Sequence, residues 1–264
     1  MTSVWREIGD RVWVRRYAWL DQTIGVIGGE DGLVIIDTRA THPLADELRA
    51  DIQALGGNPL AAVVNTHGHW DHSFGNARFL PTPIWGHVRC ATMIVEQGEE
   101  MRARMSREFP DEAFDEVELT PPSEVFGESA TLDLGDRKVE LHYLGRGHTD
   151  NDIVITVPDA SVLFAGDLLE NAPAPAFGDS YPIAWVETGH ALVDNVKGIV
   201  VPGHGDPFDR RFAQDQVEQL AVLAQLGREL AGGAIGRDEA IRRSPFPAEP
   251  TATALERVRL ESTE

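Results

Sequence analysis

The sequence holds a single cysteine, Cys90, among 264 residues. With no second thiol the chain closes no internal disulfide, which fits a reducing compartment and points to the cytoplasm. Basic residues are also scarce: 23 Lys and Arg stand against 43 Asp and Glu, a formal charge of −20. Such a surface repels polyanions at long range, so binding of duplex nucleic acid through a basic face is disfavoured and no nucleic acid is expected as a partner. No apolar run approaches the roughly 18 residues of a membrane-crossing helix, and Met1-Thr2-Ser3-Val4-Trp5-Arg6-Glu7 has no basic stretch leading into an apolar one. A soluble chain without membrane partner or leader is the expectation. Repeats, heptads and low-complexity tracts are lacking as well.

What is present is an ordinary globular composition, 42% hydrophobic, in a length that suits one large domain or one domain with an appendage. Short β-type runs at 11–17, 23–27 and 33–37, separated by Gly-rich turns, read as antiparallel strands. The period then changes: Leu44, Leu48, Ile52 and Leu55 predict a helix over 43–55, stopped by Gly56-Gly57. A strand at 61–65 and a helix over 88–108 follow. A second series has strands at 138–144, 153–157, 161–165 and 198–201 and a helix over 183–195. Strands mixed with helices imply a layered α/β architecture. From Arg211 onward, Phe212, Val217, Leu220, Leu223, Leu226 and Leu230 recur at helical spacing. Beyond Gly232-Gly233 a tail interrupted by Pro245, Pro247 and Pro250 is expected to wrap the surface. The division is therefore residues 1–210 as a catalytic domain and 211–264 as a helical extension packed on it.

The chemistry concentrates in Asn65-Thr66-His67-Gly68-His69-Trp70-Asp71-His72, at the end of the 61–65 strand. Given the His content, three histidines at fixed offsets arise by chance in roughly one such sequence per hundred. Imidazole nitrogens and carboxylate oxygens are the ligands that zinc takes, and Gly68 permits a tight loop with side chains turned inward. Three later positions repeat one arrangement, an apolar strand followed by a ligand-type residue: His148 after Gly145-Arg146-Gly147, Asp167 after Ala165-Gly166, and His204 after Pro202-Gly203. Ligands of α/β sheets gather outside the carboxyl ends of strands, so these positions should converge on one crevice. Seven candidates result: His67, His69, Asp71, His72, His148, Asp167 and His204. They exceed what one tetrahedral ion needs and suit two ions sharing one carboxylate. His42, His87, His142 and His190 lack strand-end partners and read as surface or satisfied core residues, and Cys90 as a buried small hydrophobe.

This pattern, His67-Gly68-His69-Trp70-Asp71-His72 followed by separated His148, Asp167 and His204, resembles the signature of the metallo-β-lactamase superfamily over about residues 10 to 208. The resemblance implies an αββα sandwich with a dinuclear, usually zinc, site at one edge of the sheets. Carried over by position, His67, His69 and His148 would hold the first metal and Asp71, His72 and His204 the second, with Asp167 bridging. The stretch 147–154 is similar to that of the zinc β-lactamases with a Cys ligand, but Asp167 stands where that Cys would be, as in glyoxalase II-like and lactonase-like hydrolases. Weak β-lactam hydrolysis is therefore expected. Glyoxalase II carries a longer basic helical domain for glutathione, which the residues after His204 do not provide.

Two cations in such a set would acidify a bridging water into hydroxide, the nucleophile toward an ester, thioester, lactone or β-lactam-like amide of a small molecule. Asp71 would orient that hydroxide and take its proton. The alternatives that the resemblance leaves are a mononuclear iron persulfide dioxygenase and a metal-dependent phosphodiesterase or nuclease, with Fe or Mn in place of zinc. Trp70, Phe177, Tyr181 and Trp185 are the aromatic candidates for the substrate pocket, Trp70, Tyr181 and Trp185 being the ones carried forward. Arg146 reads as a solvated loop cation.

Overall fold

The computed structural model describes residues 4–172 and 174–263. Two sheets face each other. The first has seven strands in chain order: β1 (Arg6–Gly9), β2 (Val12–Tyr17), β3 (Gln22–Gly29), β4 (Gly32–Ile36), β5 (Leu60–Val64), β6 (Ile84–His87) and β7 (Glu124–Phe126). Its first four strands are antiparallel neighbours, as the Gly-punctuated runs predict, while β4 to β7 are parallel. The second sheet comprises β8 (Ser129–Asp133), β9 (Lys138–His142), β10 (Val154–Val157), β11 (Val162–Gly166) and β12 (Ile199–Pro202), ordered β12-β11-β10-β9-β8. Since β10 is antiparallel to both β9 and β11, and β12 is parallel to β11, the carboxyl ends of β9, β11 and β12 share one edge.

Alternation along the strands divides the core. Val34 and Ile36 of β4 face the other sheet, joining Val14, Ile155, Val157 and Phe164. Leu33 and Ile35 face outward onto α1 (His42–Gln53) through Leu48 and Ile52. A strand covered on both faces has no polar side, which is why Gly32–Ile36 is a continuous apolar run. The sheets meet closely at Gly25, where a Cβ would stand 2.2 Å from the Phe164 ring. Outside the second sheet, Leu163, Ala165 and Val200 pack against α4 (Pro182–Asn195) and α5 (Arg210–Ala231) through Trp185, Leu192, Val217 and Leu220. Layers of helix, sheet, sheet and helix result, the sandwich that the resemblance implied.

Two further helices complete the outer surface, the single turn α2 (Trp70–Ser73) and the long α3 (Val88–Glu108). The predicted span of α3 matches, and it buries Cys90, Met93, Ile94, Met101 and Met105 on one face. Strands β1, β6, β7 and β8 were not predicted. Three have four residues or fewer, and β8 buries only Leu132 fully, so little periodicity reports them. The wrapping tail is corrected: the chain after Gly233 forms α6 (Arg237–Arg243) and α7 (Ala248–Glu261). Pro245 and Pro247 fall between these helices and Pro250 in the first turn of α7, where a missing N–H costs nothing.

Candidate metal centre

The ligand-type residues arrive from the ends of strands of both sheets. β5 ends at Val64, and His67 and His69 follow before α2 carries Asp71 and His72. Asp167 is the residue after β11, His204 lies two residues past β12, and His148 sits in the β9–β10 connection. Main-chain bonds tie these ends together. Ile153 N donates to Thr66 O at 2.9 Å, Gly203 N to Gly166 O at 2.9 Å, and Thr23 N to Gly203 O at 2.7 Å. Gly203 is required by the approach itself, since a Cβ there would lie 1.9 Å from Asp167 Oδ1 and 2.9 Å from the His72 ring. All seven sequence candidates come together.

The hydrogen bonds around the imidazoles settle which nitrogens face inward. Carboxylate and carbonyl oxygens only accept, so a ring nitrogen bonded to one carries the proton. His72 Nδ1 donates to Asp37 Oδ2 at 2.8 Å, His204 Nδ1 to Leu20 O at 2.8 Å, and His69 Nε2 to the Asp179 carboxylate at 3.0 Å. Thr66 Oγ1 gives its proton to Asp37 Oδ2 at 2.9 Å and thus accepts from His67 Nδ1 at 3.0 Å. In neutral tautomers, four rings therefore turn a bare nitrogen into the cluster. His67 Nε2 and Asp167 Oδ1 are buried there without a hydrogen-bond partner.

Distances within the cluster suit cations. Asp167 Oδ2 lies 3.4 Å from His72 Nε2 and from His204 Nε2, 3.6 Å from His148 Nε2 and 3.8 Å from His67 Nε2. Asp71 Oδ2 is 3.4 Å from His72 Nε2 and 3.2 Å from His204 Nε2, and those two nitrogens are 3.2 Å apart. Two nitrogens on one tetrahedral zinc stand about 3.3 Å apart, so this spacing is that of shared ligation. The donors of His67, His69 and His148 lie within 4.8 Å of one another, as do those of Asp71, His72 and His204. Nitrogens converging on carboxylates, with the outer N–H groups of His67, His69, His72 and His204 committed, fit a metal centre; His148 differs, its Nδ1 being buried without a partner and its Nε2 lying 2.8 Å from His69 Nδ1.

The imidazoles divide electrostatically: burial opposes charge on all five, but Asp167 and Asp71 raise His72 and His204 well above the usual range and Asp179 raises His69. Burial holds the His67 imidazole well below its usual range and lowers His148 to about 4, keeping both neutral and able to ligate. Burial opposes charge on Asp71 and Asp167 too, but the neighbouring His72 and His204 rings outweigh it and hold both carboxyls well below normal. For Asp179, burial is overcome by His69. Behind His148, the turn 149–152 is pinned to the motif: Gly68 N donates to Asn151 Oδ1 at 2.8 Å, and Asp152 Oδ2 accepts from Thr149 N at 2.7 Å. Burial raises the Asp152 carboxyl to about 7.

A cavity of about 520 Å³ opens onto the cluster. Leu20, Trp70 and Met101 form one wall, and Ala172, Ala174 and Ala176 of the loop after β11 form another. Trp70 thus lies where the sequence places it. Tyr181 and Trp185 do not line the cavity. Trp185 is 0% exposed because the first turn of α4 drives it into the core, where its Nε1 donates to Leu168 O at 3.0 Å and its ring meets His148 edge-on at 5.8 Å. It backs a ligand instead of touching substrate. Tyr181 lies between the guanidinium groups of Arg146 and Arg257, at 4.7 and 5.4 Å, so Arg146 is stacked on a ring. Phe177 is buried against Trp185 and Phe246. Of the remaining histidines, His87 caps α3 and stacks on Tyr143, His42 accepts from Glu118 N, His142 lies 3.5 Å from Glu140, and His190 is exposed.

Three participants were not predicted from sequence. Asp37 holds both His72 and Thr66, and turns toward them from a left-handed backbone conformation, φ 67°. Asp179 comes from a Pro- and Gly-rich loop with no periodicity to mark it. Glu170 lines the cavity beside Asp167, and an acid three residues past a candidate donor, directly after Leu168-Leu169, was a readable signal.

The family model of the metallo-beta-lactamase superfamily matches residues 17–204. The chain is 26% identical over 215 residues to the metallo-beta-lactamase type 2 of Bacillus cereus, spanning 75% of this chain and 77% of that protein. It is 23% identical over 232 residues to the linear primary-alkylsulfatase of a Pseudomonas species, spanning 74% of this chain and 43% of that one. The solved structure of a double mutant of a sec-alkyl sulfatase shares the fold, with a TM-score of 0.79 at 18% identity over 98% of this chain and 50% of that chain. A family match that spans the whole donor set, over a sandwich with the same layers, places this chain in the metallo-beta-lactamase superfamily of metal-dependent hydrolases.

Proposed function

We propose that the chain is a dinuclear zinc hydrolase acting on the carbonyl of a small-molecule ester, thioester or lactone. The observation that carries this reading is the set of Nε2 atoms of His67, His72, His148 and His204 around a single oxygen, Asp167 Oδ2, at 3.4–3.8 Å. His67, His69 and His148 would hold one ion and Asp71, His72 and His204 the other, with Asp167 between them. Two bound cations supply the charge that makes a water acidic enough to attack at neutral pH and that polarises the carbonyl oxygen. Asp71, on the cavity wall, is placed to orient the attacking water and to accept its proton. Leu20, Trp70 and Met101 would receive an apolar acyl or alkyl body and exclude water from it.

The alkylsulfatase relative supports a second substrate, the sulfate ester of an alkyl chain, for the same apolar walls. The missing Cys ligand argues for feeble β-lactam turnover.

Elemental analysis of the purified protein tests the centre, with close to two zinc per chain expected. A panel of a p-nitrophenyl ester, a thioester, a lactone, an alkyl sulfate and a chromogenic cephalosporin then tests the substrate. Asp71→Asn and His204→Ala should each abolish turnover while the circular dichroism spectrum persists. Full activity in either variant, or protein that takes up no metal on reconstitution, overturns the reading.

A further inference from the structure

Glu170 is 7% exposed, faces the cavity, and its carboxylate has no hydrogen-bond or ion-pair partner among the described residues. Leaving a carboxylate buried and unpaired is costly, so such a group is neutralised by a proton or by a cation. Its placement selects the cation. A Glu170 oxygen lies with His148 and Asp167 donors inside one 4.8 Å set, on the side of the cluster that opens to the cavity. The main chain cannot swing this side chain away, because buried Gln216 of α5 clamps it twice: Glu170 N donates to Gln216 Oε1 at 2.8 Å and Gln216 Nε2 donates to Glu170 O at 2.7 Å. We infer that Glu170 is an eighth donor of the metal centre, a third carboxylate beside Asp71 and Asp167. This rests on the metal reading above and adds to it. A centre with three carboxylates is richer in oxygen than the seven-residue set and accommodates higher coordination numbers.

The test compares wild-type protein and Glu170→Gln, both stripped by chelator and titrated with Zn²⁺ against a chromophoric competitor, then with Co²⁺ followed by its visible absorption. Gln keeps the volume and the Gln216 clamp, so the metal-free variant should unfold at the wild-type temperature. The expected result is two ions bound by wild type, one of them weakened about 10-fold or more in the variant, with changed cobalt bands. Should the Gln variant fail to fold, Glu170→Ala is read the same way. Wild-type affinity for both ions together with a wild-type cobalt spectrum in either variant overturns the inference. Wild-type protein that binds fewer than two ions would instead sink the dinuclear reading itself, so the two failures are distinct.

Discussion

The two halves of the donor cluster are fastened by different parts of the molecule. His72 and His204 spend their outer N–H groups on Asp37, at the end of β4, and on the main chain of Leu20. His69 leans on Asp179, which lies in the loop between β11 and α4. That loop is held from outside by α7: Arg257 donates to Ser180 O at 2.7 Å and Asp179 O at 3.2 Å, and Glu261 accepts from Ile183 N at 2.8 Å and Ala184 N at 2.9 Å. One half of the centre therefore takes its rigidity from the sheets. The other depends on helices that arrive after the last ligand in the sequence. The C-terminal helices act as a brace for the cavity loop, and this gives 211–264 a part in the site that composition alone does not suggest.

Variants that cut one support at a time would break or sharpen this contrast. The largest effect is expected from Asp37→Ala, which strips the acceptor from His72 and from both Thr66 donors. Zinc affinity should fall about 100-fold, and denaturant unfolding should show a stability loss of about 3 kcal/mol from stranded buried donors. Asp179→Ala should lower affinity about 10-fold, at the ion held by His69, with stability nearly unchanged. Equal losses in these two variants would erase the distinction between sheet-held and loop-held halves. Arg257→Ala should do least, costing about 1 kcal/mol. Its signature is faster amide exchange at residues 179–184 with no change at 66–72, and unaltered exchange would show that α7 does not hold the loop.

Much of the site was legible because its chemistry is local. His67, His69, Asp71 and His72 lie within six residues, and that spacing is unaffected by what surrounds it. Helix α3 was legible for the same reason, since its buried face repeats over 21 residues. Short half-exposed strands such as β7 carry no comparable pattern. Trp185 shows the opposite limit: its place in a loop-to-helix junction suggested a pocket, but the direction of the first turn of α4 sends it into the core behind His148.

By itself, then, the sequence determined the layered α/β class, the strand-end positions of the seven His and Asp candidates and their metal-donor chemistry, because hydrophobic period and residue chemistry are short-range properties. Only the tertiary structure decided that Asp37, Glu170 and Asp179 join the centre and that Tyr181 and Trp185 do not. Those choices depend on how two sheets stack and where the last helix docks. A side chain's partner across such an interface is set by the packing of segments far apart in sequence, which no local period records.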